Sequence, residues 1–445
     1  MTPDANDLCV FAVKRGDIEV GGSFSYQYYH WERTKIIESI KRNHAVTPYQ
    51  LIEIVDFIRE KEKAKSANCR YIGMASVESH TGCLSNVIET AEGDAFKFKK
   101  GDILYGKLRP YLNKVWLATF DGICSTEFHV LRIKVDNVQN ELLHNILLSN
   151  VVLKQTIHMM TGNTHPRLSD EDVKKLLIPL PQNNSKHNLL CLAQNAYVDK
   201  IQYIANLGED FKISISNLLG IAERKISKLC FAIHLRDLDG VIDAKRYSSM
   251  ITHTSEFKIS DVCDIVDEKV NVSRFDKKII DWIRIDDLPN QPLDIEEVRT
   301  QPANEVEGTF FKVQEGDILV ARLGPTILNQ KIVMVRSIER TTIASAEFLV
   351  LRCKEGYSPE AVMAVLKTAY YRDLMYSHAR GSTPSRYRLN REDMLKLPFP
   401  DIREHQDKIA DDANNVREQV KAMRIQAEQE WQAAKEQFEK ELLGE

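Results

Sequence analysis

The chain contains the same sequence landmarks twice, in one order and at nearly one distance. Five short motifs recur, and the offsets between partners are 211, 215, 220, 219 and 219 residues. The pairs are Ile54–Asp56 with Ile265–Asp267, Gly101–Leu104 with Gly316–Leu319, Ser125–Arg132 with Ser345–Arg352, Gly162–Thr164 with Gly381–Thr383, and Pro179–Pro181 with Pro398–Pro400. Chance can supply one such pair but not five in register. The sequence therefore predicts a duplicated module of roughly 215 residues, far longer than the repeat of a solenoid array. Two equivalent sites are expected, rather than one catalytic pocket.

Composition is that of a globular protein of 445 residues, with 43% hydrophobic and 28% charged residues. No apolar stretch approaches the ~20 residues that a membrane helix needs, and the polar start Met1–Asp7 predicts no signal peptide. The eight cysteines are scattered, without a C-x-x-C motif or paired Cys/His spacing. This distribution favours a reducing cytoplasm and argues against a zinc site.

The net charge of −4 does not by itself suggest a nucleic-acid partner. Residues 402–445 hold 7 Lys and Arg against 11 Asp and Glu, so residues 1–401 are neutral overall. A neutral body can still present a local basic face, because phosphate contacts depend on where Lys and Arg lie.

A long helix is predicted after each copy of the module, because apolar residues recur there every seven positions. The first series is Leu190, Tyr197, Ile204, Phe211 and Leu218, flanked by Ala193, Leu207 and Ile221. The second series is Ile402, Ile409, Val416 and Met423, with Ala413, Val420, Ala427 and Ala434 between them. Neither segment contains an internal proline, and about 40 helical residues would extend roughly 60 Å. The alternative is that each helix packs only on its own module.

Each module is predicted to be mixed α/β. Strands are expected at Lys114–Ala118, Phe128–Ile133, Lys331–Val335 and Phe348–Cys353, and helices at Thr34–Lys41, Leu142–Met160 and Pro359–His378. Gly101-Asp102 and Gly316-Asp317 are expected to form hairpin-type turns. The predicted boundaries are a first module at 1–180, a first helical segment at 181–236, a second module at 237–400 and a second helical segment at 401–445.

Catalytic motifs are almost absent from the sequence. There is no G-x-x-x-x-G-K-[ST] loop, no G-x-G-x-x-G turn and no G-x-S-x-G elbow. The Asn/Asp-Pro-Pro-aromatic motif of amino-methyltransferases is also missing. Carboxylate-x-Lys triplets such as Asp243–Lys245 occur, but such triplets are expected by accident in a chain this charged. The chain is therefore predicted not to be an enzyme and to hold no cofactor of its own.

Polar and basic loops at matched positions of the two copies are the candidate binding residues. Arg and Lys can hold guanine edges or phosphates, and Asn and Gln can hold adenine edges. The first copy supplies Lys107, Arg109, Tyr111, Asn113, Lys114, Asn163, Thr164 and Arg167. The second copy supplies Arg322, Thr326, Asn329, Gln330, Lys331, Ser382, Thr383, Ser385, Arg386 and Arg388. Taken singly, such loops are more often solvated turns whose polar groups satisfy their own backbone. Their recurrence with different side chains predicts a shared platform that reads two different sequences.

The ordered motifs resemble the specificity subunit of type I restriction–modification systems over essentially the whole chain. The resemblance rests on the G-D-I-L turn, the E-F-x-V-L-R strand, the G-x-T loop and the P-[LF]-P boundary before a heptad helix. Gln27–Tyr29, Lys245–Tyr247 and the helix start Arg403–Ala410 are also similar.

The resemblance implies that each module is a target-recognition domain for one half of a split double-stranded DNA site. It implies that the helices pair as an antiparallel coiled-coil spacer in a pseudo-two-fold body. The implied partners are two modification subunits that methylate adenine with S-adenosylmethionine, with or without restriction subunits. One departure is that Pro181–Ser185 lacks the Glu-x-Gln that Glu404–Gln406 retains, so the first spacer junction is expected to differ.

Three other functions stay open at the level of the sequence. A stand-alone enzyme is disfavoured by the missing catalytic motifs. An adaptor of a related phage-defence complex without restriction would use the same module. A pure protein–protein scaffold is disfavoured by the donor-rich loops that recur in both copies.

Overall fold

The computed structural model describes residues 27–63, 70–85, 89, 93–162, 165–183, 185–221, 257–270, 272, 278–288, 295, 298–306, 308–383 and 386–445. The chain divides into two compact units. The first unit comprises Met1–Lys200 and Ile425–Glu445, and the second comprises Ile201–Arg424. The division falls inside the two long helices, whereas the sequence places the module boundaries near their ends. The boundary expected at 236/237 lies outside the described residues.

The first unit is mixed α/β. Its strands are β1 (Val46–Gln50), β2 (Val55–Ile58), β3 (Lys61–Lys63), β4 (Tyr71–Ile72), β5 (Asp94–Phe98), β6 (Ile103–Gly106), β7 (Val115–Leu117), β8 (Gly122–Ser125), β9 (Phe128–Ile133) and β10 (Leu177–Pro181). Its helices are α1 (Trp31–Arg42), α2 (Leu51–Ile54), α3 (Asn140–Leu148), α4 (Asn150–Ile157) and α5 (Asp170–Lys174). The strands form sheets of order β2-β9-β6-β7 and β3-β5-β8-β4, and β1 pairs with β10.

The second unit repeats this plan. Long helix α6 (Ser185–Leu218) precedes it in the chain. Its strands are β11 (Cys263–Val266), β12 (Lys269–Val270), β13 (Ile279–Ile283), β14 (Arg299–Pro302), β15 (Phe310–Lys312), β16 (Ile318–Ala321), β17 (Ile332–Met334), β18 (Thr342–Ser345) and β19 (Phe348–Cys353). Its helices are α7 (Ile259–Val262), α8 (Gly324–Leu328), α9 (Pro359–Leu366), α10 (Ala369–His378) and α11 (Arg391–Lys396), and long helix α12 (Gln406–Leu443) follows. The sheets have the orders β11-β19-β16-β17 and β12-β15-β18-β13-β14.

In the second unit the four-stranded sheet is buried on both faces, because alternate residues of a strand point to opposite sides. Ile318 and Val320 of β16 pack with the helices, whereas Leu319 and Ala321 pack toward the other sheet. Strand β19 divides its side chains in the same way. The strands predicted at Phe128–Ile133 and Phe348–Cys353 are confirmed at both ends.

An ion pair between a buried aspartate and a partly exposed arginine follows the Gly-Asp turn in each unit. Asp102 is almost fully buried and accepts two hydrogen bonds of 2.7 Å from the guanidinium of Arg132. Asp317 accepts two of 2.8 Å from Arg352. Gly101 and Gly316 adopt the positive φ angles that such a turn needs, +92° and +86°. The predicted turn is present, but the prediction of a hairpin is wrong, since β5 and β6 belong to different sheets.

The single helices predicted at Leu142–Met160 and Pro359–His378 are each broken in two. Ser149 is extended (φ −70°, ψ 156°), and its hydroxyl donates to the carbonyl of Ile146 instead of leaving the backbone to continue the helix. Thr368 does the same with the carbonyl of Val365. Each break leaves the carbonyl of the preceding residue without a helical donor.

The two long helices are confirmed, but their buried seams drift from the strict seven-residue spacing. Leu190, Tyr197 and Ile204 of α6 are buried, whereas Leu218 is exposed and Ile215 is buried instead. A straight α-helix of 3.6 residues per turn shifts its buried face in this way. The helix ends at Leu218 and is followed by Gly220 in a left-handed conformation (φ +64°), and the N–H of Ile221 donates to Ser216 O at 2.7 Å.

Within the first unit the start of α6 contacts the end of α12 in antiparallel fashion. Lys200 forms an ion pair of 2.7 Å with Glu430, and the Tyr197 and Trp431 rings stack with centroids 6.2 Å apart. The His187 ring lies 5.9 Å from that of Phe438. The apolar residues Trp431, Phe438 and Leu442 are buried here, although the heptad series does not contain them. Among the described residues, no helix is long and apolar enough to cross a membrane.

Replacing Phe438 by alanine is expected to destabilise the first unit by about 3–5 kcal/mol, because the side chain is fully buried and a cavity would remain. Urea unfolding of the full chain measures this loss. Ile425→Ala on the same helix is the matched control, since Ile425 is 46% exposed. Equal losses in the two variants would mean that the Phe438 contacts contribute no stability.

Candidate nucleic-acid interface

In each unit the two predicted binding loops lie side by side, joined by backbone hydrogen bonds. In the first unit Arg109 N donates to Pro166 O at 2.7 Å, and Leu168 N donates to Lys107 O at 3.0 Å. In the second unit Gly324 N donates to Tyr387 O at 2.7 Å, and Leu389 N donates to Arg322 O at 2.9 Å. Segments more than 50 residues apart in sequence therefore form one surface in each copy.

A glutamate holds the central arginine of this surface. Arg167 donates to both carboxylate oxygens of Glu127 at 3.0 and 2.8 Å. Arg388 donates to both oxygens of Glu347 at 3.2 and 3.0 Å. The pairs are partly exposed, so they contribute little stability. Their two-point geometry does fix the plane of each guanidinium.

Other cations of the surface have no such partner. Among the residues that the structure describes, no carboxylate pairs with Arg109 or Arg386, and both side chains are exposed. Arg109 adopts a left-handed backbone (φ +50°) at the start of the short 3-10 helix Pro110–Leu112. Tyr111, within that turn, exposes 40% of its surface. An unpaired guanidinium beside an exposed aromatic ring suits a phosphate backbone.

The amides and amines at the end of each predicted loop point inward. Asn113 (φ +47°) donates to Leu148 O at 2.8 Å, and Gln330 (φ +46°) donates to Lys367 O at 2.6 Å. These acceptors are the carbonyls that precede the helix breaks at Ser149 and Thr368 and that have no helical donor. Lys114 Nζ donates to the carbonyls of Met74 and Val77, and Lys331 Nζ donates to Ile285 O at 3.0 Å.

These side chains therefore anchor the loops to the body of each unit. Asn329 is likewise buried and donates to Pro325 O at 2.8 Å, while the Thr326 hydroxyl donates to Leu323 O at 2.7 Å. Their predicted contact with DNA stays a prediction. Ser382 and Thr383 are exposed, whereas Asn163, Thr164 and Ser385 lie outside the described residues.

A charged cluster surrounds Lys107 in the first unit. Asp170 Oδ1 lies 3.8 Å from Lys107 Nζ and 3.0 Å from His129 Nδ1, and Arg59 pairs with the other carboxylate oxygen. Burial is the main cause that lowers the pKa of Lys107. Burial, reinforced by Lys107, lowers the pKa of His129 to about 3, although Asp170 acts in the opposite direction. His129 is therefore neutral at physiological pH.

The second unit has a corresponding charged cluster, in which the acidic and basic residues have exchanged positions. Arg391 occupies the first position of α11, as Asp170 does in α5, and it pairs with Asp267. Asp267 follows β11 as Arg59 follows β2, so the structural equivalence of these strands differs by three residues from the sequence pairing of Ile54–Asp56 with Ile265–Asp267. Leu349 stands where the first unit has His129. Lys107 corresponds to Arg322, whose guanidinium is partly buried.

One group of possible metal ligands occurs among the described residues. The ligand atoms of His30, Glu32 and His158 lie within 4.8 Å of one another. The two imidazole rings are stacked, with centroids 4.1 Å apart and planes inclined by 14°. An ion must lie near the plane of each imidazole that binds it, so parallel stacked rings cannot share one in this arrangement.

Comparisons with known proteins find similarity to one family in part of the chain. Residues 47–204 match the family model described as the type I restriction modification DNA specificity domain. The match covers 158 of the 445 residues, so it is this part of the chain that is similar to the specificity domain. The matched residues cover the first unit from β1 and run into α6, so the second unit is related to them through the internal repeat.

A curated relative is the type I restriction enzyme EcoDI specificity subunit of Escherichia coli. It is 27% identical over 181 residues, which is 39% of this chain and 40% of that relative. The chain thus spans about two fifths of the relative's length in this match.

Two solved structures also match over most of the chain. They are the HsdS subunit from Thermoanaerobacter tengcongensis (16% identity, TM-score 0.32, 90% of this chain and 97% of that one) and a type I S subunit from M. genitalium (12%, 0.35, 91% and 97%).

The lowered pKa of His129 predicts that acid destabilises the first unit. Its folded pKa of about 3 lies below the ordinary value near 6.5, so the unfolded chain binds more protons between these pH values. The contribution of His129 to the free energy of unfolding is fully present above about pH 6.5. It falls by about 1.4 kcal/mol per pH unit as the pH is lowered from there toward the folded pKa.

The comparison variant is His129→Leu, which copies Leu349. Because buried His144 (pKa about 4) adds its own pH dependence, the wild-type curve must be compared with that of the variant. Urea unfolding at a series of pH values from 7 to 4 is expected to show a shallower slope for the variant. Parallel curves would show that His129 has the same pKa in the folded and the unfolded chain, and would overturn this prediction.

Proposed function

We propose that this chain is the non-catalytic DNA specificity subunit of a type I restriction–modification complex in the cytoplasm. Each unit would bind one half of a bipartite double-stranded target. The observation that carries the proposal is the pair of basic loops tied together at the same place in both units. A single-site enzyme has no use for two copies of such a surface carrying different side chains.

The two kinds of arginine suit two kinds of contact. Arg167 and Arg388 have guanidinium planes fixed by glutamate, and base readout requires a donor pair of fixed direction. Arg109 and Arg386 lack a carboxylate partner among the described residues, so their positive charge is available for phosphates. The buried anchors Asn113, Gln330, Lys114 and Lys331 would hold the loops in place, and their own contact with DNA stays a prediction.

The partners in this proposal are two modification subunits, which would bring S-adenosylmethionine and methylate adenine, with or without restriction subunits. The long helices α6 and α12 would pair over their length as an antiparallel spacer. The module order would then give a pseudo-two-fold body that two equal partners can bind. The antiparallel contacts of Tyr197 with Trp431 and of Lys200 with Glu430 support this arrangement.

The first test separates the two half-sites. Arg167→Gln is expected to weaken recognition of one half-site by about tenfold or more, and Arg388→Gln the other, since a lost base contact acts only where that base is read. Arg109→Gln and Arg386→Gln should weaken all sequences alike and reduce the salt slope by about 1 each. Base-resolved methylation mapping in cells that carry each variant, with binding assays on the assembled complex, measures both effects.

Arg42→Gln is the control for the loss of one positive charge, since Arg42 lies on the exposed face of α1. If Arg167→Gln and Arg388→Gln reduce methylation of both half-sites equally, the glutamate-held arginines are not base readers. The proposed function is wrong if methylation mapping finds no bipartite sequence whose methylation depends on the presence of this chain.

The second test concerns the spacer. One heptad inserted after Val198 in α6, with another after Gln429 in α12, keeps both seams nearly in phase. Each helix then lengthens by ~10.5 Å, so the unread gap between half-sites is expected to grow by about three base pairs. Methylation mapping reports the new gap while both half-sites stay the same.

A heptad inserted between Asp136 and Asn137, in an exposed turn after β9, is the control that should leave the gap unchanged. A folded double-insertion variant that still methylates the original spacing would show that the helices do not set the distance.

A further inference from the structure

Two thiols lie side by side across the four-stranded sheet of the second unit. Cys263 begins β11 and Cys353 ends β19, and the antiparallel register places them directly opposite each other. Their sulfur atoms are 3.6 Å apart. Cys263 is fully buried, whereas Cys353 is partly exposed.

The backbone places this pair where a cross-strand disulfide fits. In the neighbouring pair, Lys354 N donates to Val262 O at 2.9 Å. Hydrogen-bonded and non-hydrogen-bonded pairs alternate in an antiparallel ladder, so Cys263 and Cys353 form a non-hydrogen-bonded pair with Cα atoms about 4.5 Å apart. That separation lies within the range of natural disulfides, and bonding requires the sulfur atoms to approach to about 2.05 Å. The two sulfur atoms, now 3.6 Å apart, must move toward each other by about 1.5 Å to reach that distance.

The first unit supplies an internal comparison. Its equivalent strands pair Val55 with Ile133, and the neighbouring bond from Lys134 N to Ile54 O (3.0 Å) is also present. The fold therefore needs only two apolar side chains at this place. Cysteine occupies both positions in the second unit and neither position in the first.

We propose that Cys263 and Cys353 are a modification site for a low-molecular-weight disulfide, which converts the pair into a cross-strand disulfide. In the first step the Cys353 thiolate attacks one sulfur of the reagent, forms a mixed disulfide and expels the first thiolate. In the second step the Cys263 thiolate attacks the Cys353 sulfur and expels the second thiolate. The two thiols of the chain lose two electrons and two protons, and the reagent is reduced to two thiols.

The order of attack follows from the surroundings of the two sulfurs. The thiolate is the nucleophile, and the neighbouring Cys353 thiol and burial raise the pKa of Cys263 far above its ordinary value. Cys353 is also the sulfur that a reagent can reach. Cys83 and Cys124 are both buried, and burial raises the pKa of each thiol to about 12, so these two should react slowly.

The bond would constrain the second unit alone. It would close a loop from β11 to β19 that contains Arg322 and the anchors of its binding loop. A cross-link that closes a loop of this length raises stability mainly by restricting the unfolded chain. The first unit, with Val55 and Ile133, has no counterpart, so oxidation would act on one copy of the module.

The test treats the native full-length protein with oxidised glutathione and maps its peptides without reduction. A cross-linked pair of peptides containing Cys263 and Cys353, lighter by two hydrogens, is expected. The thermal midpoint of the oxidised protein should rise by roughly 5–10 °C and return when a reductant is added. The single variant Cys263→Val should stop at a glutathione adduct on Cys353.

The matched control is the double variant Cys263→Val/Cys353→Ile, which installs the pair of the first unit and should show no rise. A stable glutathione adduct on Cys353 in the wild-type protein would overturn the proposal. A cross-link that forms only after the chain is unfolded in denaturant would also overturn the proposal. The same holds if Cys263 and Cys353 of the wild-type protein stay reduced while other cysteines react.

Discussion

In each unit an ion pair joins the Asp of the Gly-Asp turn to the Arg near the end of β9 or β19, and the candidate interface is built on the strands that this pair joins. Asp102 and Arg132 join β6 to β9, and the same strands pair Ile103 with Leu131. In that register Lys107 N meets Glu127 O at 2.8 Å, and Arg322 N meets Glu347 O at 3.1 Å in the second unit. The glutamate that orients the central arginine is thereby brought beside the basic loop. Removal of the arginine from such a pair is costly, because the charge of the buried aspartate is left without its partner.

The sequence was sufficient for the parts of the fold that depend on local pattern. The duplication, strands β9 and β19 and the existence of both long helices follow from repeats and periodicity. The broken helices could not be foreseen, because Ser149 and Thr368 are compatible with either a helix or a cap until tertiary contacts decide. The inward direction of the Asn113 and Gln330 side chains follows from those breaks, since each side-chain amide donates to a backbone carbonyl that has no helical donor at the break. Residue type and spacing identified the loops but not which of their donors point inward.

The two units keep the same contacts while exchanging the residues that make them. The pair of Arg59 with Asp170 becomes Asp267 with Arg391, so attraction is kept although both signs are reversed. Such an exchange requires both positions to change, which indicates that the contact itself is needed. It also alters the local field beside Lys107 and Arg322. Two surfaces with one backbone plan can therefore differ in electrostatics as well as in side chains.

The first unit is assembled from both ends of the chain, since it comprises Met1–Lys200 and Ile425–Glu445. The Asn150 backbone N–H donates to Glu439 at 2.6 Å, and the Asn43 amide donates to the carbonyl of Glu441 at 2.8 Å. During synthesis from the N-terminus, these partners emerge from the ribosome only after residues 201–424 have been made. The earlier half of the molecule must therefore wait for the later half before it is complete. Nascent chains that stall before residue 425 would expose the apolar positions that Trp431 and Phe438 cover, which makes them substrates for chaperones and proteases.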